Sequence, residues 1–123
     1  MNRPVLVVDD NLDNRVLLAR ILRHFGEQPV CADSGKDALE YLRTHRPRLV
    51  LLDLLMPELD GLSVLRSIRD TPGLEDLPVV VFSAAAEHDF RAAREGGATD
   101  CLVKGVATLD DIRSRLAEFG EVV

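Results

Sequence analysis

Residues 48–53 read RLVLLD: four apolar residues in unbroken succession, then a carboxylate. A strand with one face in water alternates apolar and polar side chains. An unbroken run suits a strand covered on both faces, the usual state in a parallel sheet. The pattern repeats outward in both directions. Residues Val5–Val8 lead into Asp9-Asp10, Pro29–Ala32 into Asp33, residues 79–82 into Ser83, and residues 101–103 into Lys104.

Between these runs the apolar spacing turns helical. Residues 12–25 set Leu17, Leu18, Ile21, Leu22 and Phe25 on one face, with Gly26 to stop the helix. Residues 35–45 repeat the pattern with Ala38, Leu39 and Leu42, after Ser34 as cap and before Pro47 as barrier. Further helices are predicted over 62–70, 87–95 and about 108–119, the last capped by Thr108 with Asp111 in its first turn. Strict alternation of five strands and five helices predicts an α/β fold, a doubly wound parallel sheet with right-handed crossovers and helices on both faces. Ligands in such sheets sit beyond the carboxyl ends of the strands. Asp9, Asp10, Asp53, Ser83 and Lys104 all fall there, with Asp33 nearby at the rim.

The chain has 123 residues, of which 46% are hydrophobic, which suits one ordinary domain with a single core. A net charge of −6 argues against sequence-independent nucleic-acid binding. No apolar stretch reaches the roughly 18 residues that a membrane span needs. The first residues lack the features of a signal peptide, so a cytoplasmic protein starting at Met1 is expected. Cys31 and Cys101, with no CxxC and no nearby His pair, give a metal or redox site no support and are expected as small buried side chains on strands.

The adjacent carboxylates Asp9 and Asp10 pose an electrostatic problem. Two carboxylates about 4 Å apart repel by roughly 4 kcal/mol at an effective dielectric of 20, and a third makes matters worse. A hard divalent cation reverses the sign. Mg²⁺ takes carboxylate and water oxygens and commonly shares its shell with phosphate. Lys104 adds a fixed positive charge, and it is one of only two lysines, with Lys36, in a chain that otherwise uses Arg. A compact ammonium suits a crowded phosphate site better than a guanidinium.

These residues carry a resemblance. The acidic pair in VVDDN, the central LLDLLMPELDG, the FSA after the fourth strand and the LVKG ending the fifth are similar to the receiver domains of two-component response regulators. The D-x-x-M-P-x-x-D-G pattern (Asp53, Met56, Pro57, Asp60, Gly61) is the most specific part, and the spacing agrees along nearly the whole chain. The resemblance implies a flavodoxin-like sheet of order 2-1-3-4-5, which makes the strands of Asp9-Asp10 and Asp53 neighbours. The two cysteines then lie on opposite edges, too far apart for a disulfide. It implies that Asp53 accepts a phosphoryl group from a phosphohistidine on a histidine kinase or histidine phosphotransfer protein. Asp9, Asp10, Asp53 and the backbone carbonyl of Leu55 would hold Mg²⁺, Lys104 and Ser83 would face the phosphoryl oxygens, and Ser83 would draw its loop inward as a switch. Output is expected as protein contact through the helix 4–strand 5–helix 5 face, by a monomer or weak dimer. Residues 1–123 are expected to form a single receiver domain with no output domain, a signalling phosphoacceptor rather than a turnover enzyme.

Two positions depart from the family pattern. Cys101 stands three residues before Lys104, where the family usually has an aromatic ring or His that swings inward during switching. The switch is then muted or carried by backbone movement, unless bulk from Phe82 or Phe90 fills the space. Gly105 stands where Pro usually follows the lysine. A non-proline cis bond costs about 2.5–4 kcal/mol, so the 104–105 bond is expected trans. Leu55 and Ala85 cannot orient an attacking water, which predicts slow loss of the phosphoryl group. The alternatives are a receiver-like docking module that no longer switches, a phosphatase with an aspartyl nucleophile, and a flavin binder. The phosphatase would need an Asp-x-Asp after the first strand, and the flavin binder a Gly-rich loop there. Neither motif is present.

Overall fold

The computed structural model describes residues 3–119. The elements follow the order β1 (Val5–Val8), α1 (Leu12–His24), β2 (Pro29–Ala32), α2 (Gly35–Leu42), β3 (Leu49–Leu52), α3 (Gly61–Asp70), β4 (Val79–Ser83), α4 (Glu87–Glu95), β5 (Asp100–Val103) and α5 (Leu109–Glu118). All pairings are parallel and the sheet order is β2-β1-β3-β4-β5, as the resemblance implied. β1 and β3 run in level register, Val5 opposite Leu49 and Val8 opposite Leu52, so both strands surface at the same height.

Successive side chains in a strand point to opposite faces, and the core divides accordingly. Leu6, Val8, Val50, Leu52, Val79 and Val81 pack with α2, α3 and α4. Val5, Val7, Leu49, Leu51, Val80 and Leu102 pack with α1 and α5. The central strands β1 and β3 are buried throughout, as their unbroken apolar runs require. The edge strands are not. Cys31 on β2 is exposed and Cys101 on β5 is half-buried, contrary to the expectation that both lie inside. Edge position explains this, since each of these strands has a neighbour on one side only.

Side-chain caps start four of the five helices: Asn11 accepts from Asn14 N, Ser34 from Asp37 N, Asp60 from Ser63 N and Thr108 from Asp111 N. α2 ends at Leu42, three residues before the predicted 45. Its last turn tightens into bonds from Arg43 N to Glu40 O and Thr44 N to Tyr41 O, and Arg46 Nη1 donates to Leu42 O. On α1 the buried positions are Leu18, Ala19 and Leu22, while Ile21 and Phe25 are partly buried. Leu17, predicted on the core face, is 55% exposed. It sits just off the buried stripe and lines a surface groove with Ile21, Phe82 and Lys104.

Two backbone details bear on the site. Gly61 opens α3 against the chain that follows β3, and a Cβ there would lie 2.3 Å from Asp53 O and 2.6 Å from Leu54 Cα. The 104–105 peptide is trans, as expected, and Gly105 has a φ of 83°, a left-handed value that glycine tolerates. Val106 N and Ala107 N then both donate to Val103 O, closing a tight turn. No described helix is long and apolar enough to cross a membrane.

Candidate functional site

The level ends of β1 and β3 bring three carboxylates together. One oxygen each from Asp9, Asp10 and Asp53 lies within 4.8 Å of the others. Asp9 and Asp53 are buried, at 1% and 6% exposure, and Asp10 faces solvent. Lys104, at the end of β5, reaches over both buried groups: its Nζ is 2.6 Å from Asp9 Oδ2 and 3.2 Å from Asp53 Oδ2. Ser83, fully buried at the end of β4, donates its hydroxyl to Asp53 Oδ1 at 2.6 Å, and Leu55 N donates to the same oxygen at 3.1 Å. The ammonium also sits 5.8 Å from the centre of the Phe82 ring.

Within this cluster three carboxylates face one ammonium, which leaves two negative charges uncompensated. Hard oxygen donors in that number fit a divalent cation such as Mg²⁺, which is commonly held by one or two carboxylates plus water. The site's second layer holds the acidic turn in shape. Asn11 N donates to Asp9 Oδ1 at 3.0 Å, and Arg15 Nη1 donates to the Asp9 carbonyl at 2.9 Å.

All five strand-end groups predicted from the sequence meet here. Asp33 stays outside the carboxylate cluster, exposed on the β2–α2 loop. It is hydrogen-bonded to Asp37, a bond that pulls the Asp33 carboxyl below its ordinary value and pushes Asp37 above. Cys101 packs under α4 in the same apolar cluster as Phe90 and Ala85, whereas Phe82 lies on the opposite face against α1. Of the two rings weighed for that space, Phe90 is therefore the neighbour. Burial pushes the Cys101 thiol up, with Arg94 opposing.

Sequence reasoning missed three exposed apolar side chains that follow closely in the chain on the site's charged residues. Leu12, Leu55 and Val106 are 63%, 53% and 74% exposed. Each stands two residues beyond a charged group of the site, after Asp10, Asp53 and Lys104 respectively. That repeated offset was the available signal. Leu109 on α5 and Leu17 on α1 are exposed as well.

Comparison with known proteins gives a consistent result. A profile of the family described as "Response regulator receiver domain" matches residues 5–117. The polar-differentiation response regulator DivK of Brucella ovis is 30% identical over 122 residues, covering 96% of this chain and 99% of that protein. Response regulator MprA of Mycolicibacterium vanbaalenii is 39% identical over 113 residues, and the match covers 91% of this chain but only 48% of MprA. Among solved structures, the receiver domain of sensor histidine kinase PA1611 from Pseudomonas aeruginosa PAO1, with a magnesium ion coordinated in its active-site cleft, superposes with a TM-score of 0.88. It is 25% identical, and the match covers 97% of this chain and 98% of that one.

Proposed function

Because this chain belongs to the response regulator receiver family, whose members serve phosphorylation-based signalling, we propose that Asp53 is its phosphoryl acceptor and that a phosphohistidine protein is the donor. The observation that carries the reading is the surroundings of Asp53. It is a buried carboxylate that receives hydrogen bonds from Ser83 Oγ and Leu55 N, beside Lys104 and two further carboxylates.

In the transfer an Asp53 oxygen forms a bond to phosphorus while the phosphorus–nitrogen bond of the donor breaks. The electron pair returns to the imidazole nitrogen. Asp9, Asp10, Asp53 and the Leu55 carbonyl would hold Mg²⁺, as the bound ion in the Pseudomonas relative supports. When bound, magnesium supplies charge neutralisation at the phosphoryl oxygens. Lys104 shifts from pairing carboxylates to pairing those oxygens, and the Ser83 hydroxyl donates to one of them. Positioning and electrostatics account for most of the catalysis that such a transfer needs.

The exposed apolar side chains of Leu12, Leu55 and Val106, each two residues from a charged group of the site, support a protein donor, since they offer apolar surface to a partner. The phosphorylated domain signals through protein contacts on the α4–β5–α5 face, in the cytoplasm, as a single receiver domain that is monomeric or weakly dimeric. Leu55 and Ala85 give the phosphoryl group a long lifetime. A second reading, a docking module with muted switching, draws on Cys101, whose small side chain packs beside Phe90 in place of a mobile ring.

The test is intact-protein mass after exposure to acetyl phosphate or phosphoramidate, with and without Mg²⁺, on wild type and Asp53→Asn. A single phosphoryl gain that needs both Mg²⁺ and Asp53 supports the acceptor reading. No gain with these donors or with a cognate kinase refutes it and leaves the docking module.

A further inference from the structure

We propose that Arg15 is a positioning residue for the cation site: it fixes the peptide joining Asp9 to Asp10 and so sets the affinity for a divalent cation. This rests on the reading of Asp9, Asp10 and Asp53 as such a site.

Arg15 lies in the first turns of α1 and is half-buried. Its Nη1 donates to the carbonyl oxygen of Asp9 at 2.9 Å. That carbonyl belongs to the peptide between the two acidic residues, so the bond governs how the Asp10 side chain leaves the backbone relative to Asp9. The side chain of Asp9 is already held at both oxygens, by Asn11 N and by Lys104 Nζ. Asp9 N is held by Ala32 O at 3.2 Å. Asp10 is the exposed member of the trio, and its orientation depends on the peptide before it. Partners that orient metal ligands in this way typically change affinity by about 10–100-fold when removed.

Arg15 also carries a positive charge near the acidic rim, where it lowers the pKa of Asp33. A bystander cation and a positioning cation therefore predict opposite outcomes. If Arg15 acted only through its charge, removing it would make the pocket more negative and tighten cation binding. If it holds the peptide, removing it weakens binding in spite of the more favourable charge.

The experiment titrates the purified full chain with Mn²⁺, reading free Mn²⁺ by electron paramagnetic resonance, then displaces it with Mg²⁺. Wild type, Arg15→Met and Arg15→Lys are compared, with thermal melts of each in parallel. The expected result is a rise in Kd of about tenfold for Arg15→Met, with most of the affinity restored in Arg15→Lys, which keeps a cationic donor. Arg15→Gln is read in place of the Met variant if that variant melts before it can be titrated. Unchanged or tighter binding in Arg15→Met, or equal weakening in the Met and Lys variants, overturns the proposal. Failure of wild type itself to bind either ion removes the cation site and the proposal with it.

Discussion

Substituting Gly61 with alanine tests how tightly α3 is fitted to the phosphoacceptor segment. The added methyl carbon would stand 2.3 Å from Asp53 O, 2.6 Å from Leu54 Cα and 3.0 Å from Asp53 C. All three are backbone atoms, so no flexible side chain can give way. Overpacking of this kind costs about 1–3 kcal/mol, and the gain of about 1 kcal/mol for alanine over glycine in a helix offsets only part of it. Atoms this far inside van der Waals contact place the cost at the upper end, for a net loss of about 2 kcal/mol. In a domain of this size that lowers Tm by about 5–10 °C. Gly35→Ala is the comparison. Its methyl would meet Val64 Cγ2 at 2.6 Å, and both Leu59 Cδ2 and Leu59 O at 3.0 Å. Its closest contact is therefore a side-chain tip, and a smaller loss is expected. Because the Gly61 clash bears on the backbone of Asp53, phosphoryl gain from acetyl phosphate should also slow in Gly61→Ala. A melt within about 1 °C of wild type, with an unchanged phosphorylation rate, would refute the close approach of Gly61 to the Asp53 backbone.

Other outcomes follow from single features. Glu58 has a φ of 65°, which costs an L residue about 1 kcal/mol through its Cβ and is better tolerated by Asn, so Glu58→Asn should raise stability by roughly 0.5–1 kcal/mol in urea unfolding. Arg48 is 5% exposed, pairs with Glu27 and donates to the carbonyls of Leu116 and Phe119 at 3.2 Å each. Arg48→Met leaves all three acceptors without this donor and should cost about 3 kcal/mol by the same assay. Hydrogen bonds from Thr108, first from its backbone and then from its hydroxyl, hold the Asp111 carboxyl below its ordinary 3.8. The folded value lies below the unfolded one, so this contribution is present above pH 3.8 and is lost as pH falls below it through the folded value. Melts of wild type and Asp111→Asn should therefore converge as pH falls through that window, and a constant difference would count against the cap.

Much of the site was legible because strand ends are marked twice, by a stop in the apolar run and by the polar residue that ends it. Asp53 after Leu49–Leu52 and Ser83 after a valine run were readable for that reason. Helix starts were equally plain, since Ser34 and Thr108 satisfy orphan amides that few other residues can. What escaped was set by position in the assembled sheet. Cys31 and Cys101 look like core residues in sequence, but each lies on a strand with an open edge. Leu17 fits an apolar helical stripe, yet the burying surface of the sheet is narrower than the stripe. The roles of Arg15 and Arg48 depend on carbonyls 6 and 68–71 residues away, which no local pattern announces.

The charged groups of the pocket arrive from three strands that are distant along the chain: Lys104 meets Asp9 across 95 residues and Asp53 across 51. Contacts of such separation close late, after the loop entropy between them has been overcome. The repulsion between Asp53 and the Asp9-Asp10 pair is therefore absent from the unfolded chain, and is felt only once β1 and β3 are paired. An ion that relieves it binds the finished sheet and stabilises it by mass action. Its kinetic signature should be slower unfolding with little change in the folding rate, because the nucleus forms before the ion has anywhere to bind.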